Sequence, residues 1–490
     1  MRLSEILPIA EVAPLRPLPI DPEVGSVAID SRKVRAGALF CAVPGTVRDG
    51  NEWADSALAA GAAAVLTDRP EFAELPGRVL VASVARAVGP LCRAVLGNPD
   101  QGTKIVVVTG TNGKTSSAYL AEAIFQAAGL KPALSSTVAL RHPGGESVAS
   151  LTTPDAVSLW EFVREAVDAG ARSLVLETSS HALHQGRIGG IRADAAVFTN
   201  LSRDHLDYHG TMEEYFEAKF LLFRDHLAQG GVAVSNVDDP WGRILADRLG
   251  PSCATVSTGG NPAKWRIEDL RTTLDGNRFH LVSAGVDLEL RSPLVGEVFA
   301  RNLAGVAVAA LGLGIPGDAV KKAAAATRVP GRCEVVRCGS FRGAVDYAHT
   351  PDALERLLEG LRPLVKGKLV CVFGCGGDRD KGKRPLMGGI AARLSDLAVV
   401  TSDNPRTEDP EAIIADILAG IPAGARTMRE PERAEAIRRA ADLLEPGDFL
   451  VVAGKGHERY QIVGAERRPF DDVQELSTAL MAREGSACPR

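Results

Sequence analysis

Short apolar runs rich in β-branched residues recur along the chain, and each ends abruptly in a polar, glycine-rich or acidic loop. KIVVV leads into TGTNGKT from residue 109, SLVLE into TSSH, and AAVFT into NLSRDHLD. Further on, KLVCVF precedes GCGGDRDKGKRP, LAVVT precedes SDNPRTEDP, and FLVVA precedes GKGHE. Unbroken apolar runs of this length, separated by alanine-rich helical stretches, predict parallel strands covered by helices on both faces, an α/β architecture. Ligands collect at the carboxyl ends of strands in such sheets, so all six loops are expected along one rim.

Two seams divide this pattern. GNPDQGTK at 97–104 separates an alanine-rich first segment from the first strong strand, and RVPGRCEVV at 328–336 interrupts a helical stretch with Pro330 and Gly331. The expected domains are 1–100, 101–330 and 331–490, each near ordinary domain size.

Composition narrows the function classes. With 45% hydrophobic and 24% charged residues, the sequence is that of a soluble globular protein. Its net charge of −5 gives no polycation signature, so nucleic acid is not expected as a partner. Charges and prolines break up the apolar residues of MRLSEILPIAEVAPLRPLPI, and no later stretch approaches about 18 uninterrupted apolar residues. No membrane insertion is expected, and a cytoplasmic location follows. The eight cysteines, at 41, 92, 253, 333, 338, 371, 375 and 488, form no CxxC pair and no zinc-spaced cluster with histidine, so buried free thiols are expected.

In a phosphate-binding loop, glycines let backbone N–H groups face phosphate oxygens, a lysine adds a point charge, and a hydroxyl reaches the magnesium. Gly110, Gly113, Lys114 and Thr115 suit those roles, although Val108 stands where the generic pattern has its first glycine. An ordinary turn is the alternative; the buried run before the loop and the helical SSAYLAEAIFQAAG after it favour phosphate. Glu177 ends the next run, and His205 lies in the loop after the one following. A carboxylate and an imidazole at neighbouring strand ends are candidates to share one magnesium, the imidazole being the less usual ligand for that hard ion. Solvated loop side chains are the competing reading for either residue alone.

The segments TGTNGKT, ETSSHALHQGR, TNLSRDHLDYHG, EAKFLLF, DYAHTPDAL, GCGGDRDKGKRPLM, DNPRTEDP and AGKGHE resemble, in order, the Mur ligases. More narrowly, they are similar to the branch that adds the third residue of the peptidoglycan stem peptide. The resemblance runs from about residue 29 to 473 and includes IDSRKVRAGALFCAVPGTVRDGNEW, similar to that family's uridine-nucleotide-binding domain. It implies a three-domain architecture with a P-loop-type central ATPase domain and a Rossmann-like C-terminal domain. It also implies a reaction. ATP phosphorylates a carboxylate of UDP-N-acetylmuramoyl-L-Ala-D-Glu, and an amine displaces phosphate from the acyl phosphate, with Mg2+ as cofactor. No protein nucleophile is needed, in keeping with a sequence that offers no Ser/His/Asp or Cys/His arrangement.

Residue by residue, the resemblance makes Gly110, Thr111, Asn112, Gly113, Lys114 and Thr115 the phosphate cradle, with Asn302 and Asp346 near the base and ribose. The family often has an asparagine where this chain has Phe299. Thr115, Glu177 and His205 fall at metal-binding positions, and Lys219 where the family carries a lysine converted by CO2 to a carbamate. Lys114, Lys219 and His205 are the implied catalytic residues. Ile29, Ser31, Thr152, Thr153, Ser179, Gln185 and Arg187 match positions for the uridine nucleotide.

For the incoming amino acid the matching positions are Arg379, Asp403, Asn404, Pro405, Arg406, Gly454 and Glu458. The form DNPR resembles relatives that add meso-2,6-diaminopimelate, whereas lysine-adding relatives have no arginine at its end. Diaminopimelate is lysine with a second carboxylate at its far end, which Arg406 can take in a bidentate fork. A surface ion pair of Arg406 with Glu408 or Asp409 is the alternative. A lysine-adding ligase, a folylpolyglutamate synthetase, and a nucleotide-regulated binding protein are the competing functions. A monomer is expected.

Overall fold

The computed structural model describes residues 1–45, 48–149 and 151–485. Cys488 lies outside them; the other seven cysteines are free and buried, as expected. The chain forms two compact units, one comprising Met1–Ile267, Leu281–Leu288 and Arg301–Ala323, the other Glu268–His280, Glu289–Ala300 and Ala324–Arg490.

The first unit opens with four short parallel strands, β1 (Ser26–Ala28), β2 (Ala38–Cys41), β3 (Ala64–Thr67) and β4 (Arg78–Leu80), in sheet order 1-2-3-4. Helix Val84–Val95 follows, its N-terminus capped by Ser83. It buries Val84, Ala87, Val88, Leu91 and Cys92, the helical spacing of one apolar face. That face enters a single hydrophobic core that also holds Leu39, Leu66, Trp160, Leu176 and Phe198, so residues 1–100 and the central sheet share their interior.

The central sheet is built from β5 (Lys104–Thr109), β6 (Pro132–Ser135), β7 (Ala139–His142), β8 (Gly145–Val148), β9 (Ser173–Glu177), β10 (Ala193–Phe198), β11 (Leu227–Asn236) and β12 (Ala254–Ser257). Across the sheet they run β12-β11-β10-β5-β9-β6-β7-β8, parallel from β12 to β6 with an antiparallel pair at the edge. Thr109 pairs with Phe198 and Val108 with Glu177, so the carboxyl ends of β10, β5 and β9 stand side by side. The chain continues through β13 (Trp265–Thr273), β14 (Gly276–Ser283) and β15 (Val286–Ser292).

The second unit carries β16 (Glu334–Cys338), β17 (Phe341–Asp346), β18 (Leu369–Phe373), β19 (Leu397–Val400), β20 (Thr427–Arg429) and β21 (Phe449–Ala453). Their order is β16-β17-β21-β18-β19-β20, and all pairs but β16–β17 are parallel. All six apolar runs of the sequence are strands. Their loops, however, divide between two sheets, three on each, instead of sharing one rim. An apolar run records that a strand is covered on both faces and carries no mark of the sheet it joins. Among the described residues no helix is long and apolar enough to cross a membrane.

Candidate active site

β5 ends at Thr109, and helix Lys114–Ala127 starts after a four-residue loop. The loop lies flush against Thr199 and Asn200 at the end of β10. Thr111 N donates to Asn200 O at 2.8 Å, Asn112 N to Asn200 Oδ1 at 3.0 Å, and Thr199 Oγ1 to Asn112 O at 2.6 Å. Gly110 has no room for a side chain, since a Cβ there would overlap Thr199 Oγ1. Gly113 has φ +85°, and its Cβ would fall 2.6 Å from Asn302 Oδ1. These two glycines are dictated by close approach and by a left-handed backbone. The Val108 position is an ordinary buried strand residue, so the loop keeps its shape without the first glycine of the generic pattern.

At the second residue of the helix, Thr115 Oγ1 donates to both oxygens of Glu177 at 3.1 and 3.0 Å. Thr137 adds its N–H and its hydroxyl to the same carboxylate, each at 2.9 Å. Glu177 is thus buried but fully bonded, and oxygen donors of this kind suit a magnesium ion. Lys219, on helix Met212–Leu221, is only 1% exposed; its Nζ donates to Gly110 O at 2.8 Å and lies 4.7 Å from the Tyr215 ring centre. Burial, with the charge of Lys114 beside it, holds this amine well below the usual lysine range. His205 sits at φ +53°, about half exposed, with its Nε2 3.4 Å from Asp204. Burial followed by the opposing effects of Asp204, which raises, and Lys114, which lowers, leaves its imidazole below the ordinary value and therefore neutral at pH 7. No hydrogen bond joins Glu177, His205 and Lys219 to one another, and no group of three or more His, Cys, Asp or Glu among the described residues is arranged to hold a metal ion.

Beyond Glu177, four of the residues matched to the uridine nucleotide form one network. Thr153 Oγ1 donates to Glu177 O at 3.1 Å and accepts from Ser179 N at 3.2 Å. Arg187 donates to Thr153 O at 3.1 Å and, through Nε and Nη2, to Gln185 Oε1 at 2.9 and 2.7 Å. Gln185 Nε2 in turn donates to Tyr208 at 3.2 Å. Thr152 joins from the side, accepting from Thr137 Oγ1 at 3.2 Å. Ile29 and Ser31 belong instead to the N-terminal sheet: Ile29 packs against the shared core, and Ser31 opens a 3-10 turn capped by Asp30.

Asn302 is buried on helix Glu297–Gly312 against Gly113, and Phe299, one turn earlier, is also buried. In the second unit Asp346 ends β17, accepting from Cys333 N at 2.7 Å and Ala348 N at 2.8 Å. Burial raises its carboxyl above the ordinary range, partly offset by Arg332.

Of the positions matched to the incoming amino acid, all but Arg379 gather after the ends of β19 and β21. Asn404 donates to Glu458 Oε2 at 2.9 Å and accepts from Lys455 Nζ at 3.0 Å and Ile462 N at 2.9 Å. Gly377 N donates to Asn404 O at 2.9 Å, and a Cβ on Gly377 would overlap Pro405 O. Asp403 is buried, and a side chain on Gly454 would crowd its carboxylate at 2.7 Å. Arg406 has φ +53° and donates through Nη1 to Gly377 O at 2.6 Å. Neither neighbouring acid holds it. Glu408 pairs with Arg384 at 2.8 Å and Lys381 at 3.3 Å, while Asp409 caps helix Pro410–Leu418. Arg379 is exposed and donates to its neighbour's carbonyl, Asp378 O, at 3.1 Å, outside the Asn404 network.

Sequence reasoning passed over Lys455, which is fully buried and bonded to both Asn404 and Glu458 Oε2, the latter at 3.2 Å. Its signal was present, since it sits between two glycines of AGKGHE. Thr137 and the Thr199–Asn200 pair were also missed; only Thr199–Asn200, directly after an apolar run, was detectable by position.

Three family models match in succession: "Mur ligase family, catalytic domain" over residues 23–96, "Mur ligase middle domain" over 108–310, and "Mur ligase, glutamate ligase domain" over 331–456. The chain is 45% identical over 479 residues to a protein of Parasynechococcus marenigrum named UDP-N-acetylmuramoyl-L-alanyl-D-glutamate--2,6-diaminopimelate ligase, covering 95% of this chain and 96% of that one. A Synechococcus elongatus protein of the same name is 44% identical, with 95% and 96% covered. A solved structure of a ligase with that name superposes with a TM-score of 0.71 at 36% identity, over 98% of this chain and 99% of the other. The Thermotoga maritima MurF ligase in complex with ADP shares the fold, with a TM-score of 0.62 at 20% identity over 94% and 98% of the two chains. Matched along nearly its whole length by these models and relatives, the chain belongs to the Mur ligase family.

Proposed function

We propose that this protein is an ATP-dependent ligase that joins meso-2,6-diaminopimelate to UDP-N-acetylmuramoyl-L-alanyl-D-glutamate in peptidoglycan precursor synthesis. Full-length relatives of that name support it, and the observation that carries it is Arg406. Its guanidinium is held by a carbonyl and paired with no carboxylate among the described residues, beside a network of Asn404, Lys455 and Glu458. A substrate with an ammonium and a carboxylate at its far end suits such a set. Lysine brings only the ammonium, which meets a like charge at Arg406. The domains in this reading are 1–100 for the uridine nucleotide, 101–330 for ATP and 331–490 for the amino acid, in line with the three matched segments.

In the first step a carboxylate oxygen of the dipeptide attacks the γ-phosphorus of ATP, and the bond to the β-bridging oxygen breaks, leaving ADP and an acyl phosphate. Gly110 to Thr115 hold the phosphates, Lys114 neutralises them, and Asn302 and Asp346 are the residues assigned to the base and ribose. The amine of diaminopimelate then attacks the acyl carbon, phosphate leaves, and the amine proton is released. Thr115, Glu177, His205 and Lys219 as a carbamate are the groups that would hold Mg2+, which supplies charge neutralisation at the transferring phosphoryl group. Thr152, Thr153, Ser179, Gln185 and Arg187, with Ile29 and Ser31, take the uridine nucleotide; Arg379, Asp403 to Arg406, Gly454 and Glu458 take diaminopimelate. The enzyme acts as a cytoplasmic monomer without a nucleic-acid partner, consistent with a net charge of −5.

Phosphate release measured with ATP, magnesium and the uridine-linked dipeptide, with and without diaminopimelate, tests this reading. Release that rises on adding diaminopimelate and yields the tripeptide nucleotide is expected. Release indifferent to the amino acid contradicts a ligase, and a preference for lysine contradicts the assignment of Arg406.

A further inference from the structure

Arg433 and Asp472 form an ion pair with both side chains fully buried. Arg433 opens helix Arg433–Asp442, Asp472 opens helix Asp472–Glu484, and the guanidinium Nε and Nη2 donate to the two carboxylate oxygens at 2.8 and 2.7 Å. The fork leaves donors to spare. Nη1 donates to Ser402 O at 3.2 Å and Nη2 also to Ala453 O at 3.0 Å. Ser402, two residues past the end of β19, immediately precedes Asp403, and Ala453, the last residue of β21, immediately precedes Gly454. One guanidinium therefore ties together the last carbonyls before the loops 403–406 and 454–458.

Stability alone does not account for this arrangement. A buried ion pair gains little over two well-packed apolar side chains, because desolvation of both charges offsets their attraction. Apolar residues cannot reach two main-chain carbonyls with planar, directed donors, and neither can a lysine with its single nitrogen. Arg433 also stays charged. Burial would lower its pKa, but Asp472, with smaller contributions from Asp403 and Glu458, holds it above the ordinary arginine value.

We propose that Arg433, anchored by Asp472, is a positioning residue that sets the spacing between the two loops gripping the incoming amino acid. The proposal rests on the ligase reading given above. Displacing one loop by a fraction of an ångström misplaces Asn404 and Arg406 relative to Glu458, whereas the phosphate loop and Lys219 belong to the other unit.

Steady-state kinetics of Arg433→Met/Asp472→Leu and of the nearly isosteric Asp472→Asn, beside the unaltered protein, test it. The apolar pair is expected to unfold cooperatively near the temperature of the unaltered protein, with KM for diaminopimelate raised about 10- to 100-fold and KM for ATP changed by less than about twofold. Asp472→Asn is expected to raise the same KM by a smaller factor. An unchanged KM for diaminopimelate in either folded variant overturns the proposal. Equal rises for all three substrates, or loss of cooperative unfolding in both variants, also overturn it, by making the pair a general support of the fold. If the unaltered protein releases phosphate without regard to diaminopimelate, the ligase reading has failed instead, and that arm is run first.

Discussion

Lys114 and Lys219 direct their amines at the same oxygen: Gly110 O accepts from Lys219 Nζ at 2.8 Å and from Lys114 Nζ at 3.1 Å. Two full positive charges sharing one carbonyl are costly in a buried site. The cost falls on Lys219, which is the more buried, and burial together with Lys114 shifts it toward its neutral form. A neutral amine is the form that adds CO2, giving a carbamate and releasing a proton. The modification replaces a base next to Lys114 with an anion that attracts it and offers oxygens to a metal.

Incubation with 13C-labelled bicarbonate at mildly alkaline pH is therefore expected to give a carbamate carbonyl resonance that is missing in Lys219→Ala. The variant is expected to lose activity by about 100-fold or more, in the range of losing a main electrostatic contact to the reacting groups. A spectrum of the unaltered protein without that resonance counts against the carbamate, whatever the kinetics of the variant.

Arg406 combines its proposed grip on the distal carboxylate with backbone strain. A non-glycine residue at φ +53° costs about 1 kcal/mol relative to glycine. Arg406→Gly is accordingly expected to leave the melting temperature unchanged or higher while lowering kcat/KM for diaminopimelate about 100-fold, near 2.7 kcal/mol. ATP binding, measured by titration with a non-hydrolysable analogue, is expected to hold. A variant that is more stable and still fully active with diaminopimelate shows that the distal carboxylate is held elsewhere.

The legible parts of the sequence were those where one residue's chemistry sits in a local pattern. KIVVV and FLVVA announce β5 and β21 because a strand covered on both faces is apolar at every position. In β13 and β14 burial is intermittent along the strand, and β1 and β4 are three residues long, so none of these stood out. Gly113 and Arg406 were recognisable from their motifs, though the reasons for them are tertiary: the Asn302 side chain against one and the Gly377 carbonyl under the other. Arg433 in PERAEAIRR reads as one more charge on an amphipathic helix. Its partner lies 39 residues away, and nothing local distinguishes it from the exposed Arg438 on the same helix. Long-range pairing, together with the assignment of loops to one sheet or another, is what periodicity does not encode.

His457 gives a prediction about pH. Its ring lies 5.0 Å from that of Tyr347, and its Nδ1 is buried without a hydrogen-bond partner. Burial, then the positive charge of Arg332, then His349, lower its pKa to about 4; Lys455 and Glu458 flank it on its own loop. With the folded value below the ordinary 6.5, the unfolded chain takes up the proton first as pH falls. The stability contributed by the neutral ring is thus fully present above about pH 6.5 and is lost as pH falls toward about 4. Between about pH 7 and about pH 5 the unaltered protein is expected to lose about 1–2 kcal/mol more stability than His457→Phe, which keeps the aromatic contact and cannot titrate. Thermal or urea unfolding of both proteins at the two pH values measures the difference. Parallel losses in the two would mean that the histidine takes up its proton in the folded state as readily as in the unfolded chain, and that its buried nitrogen finds water.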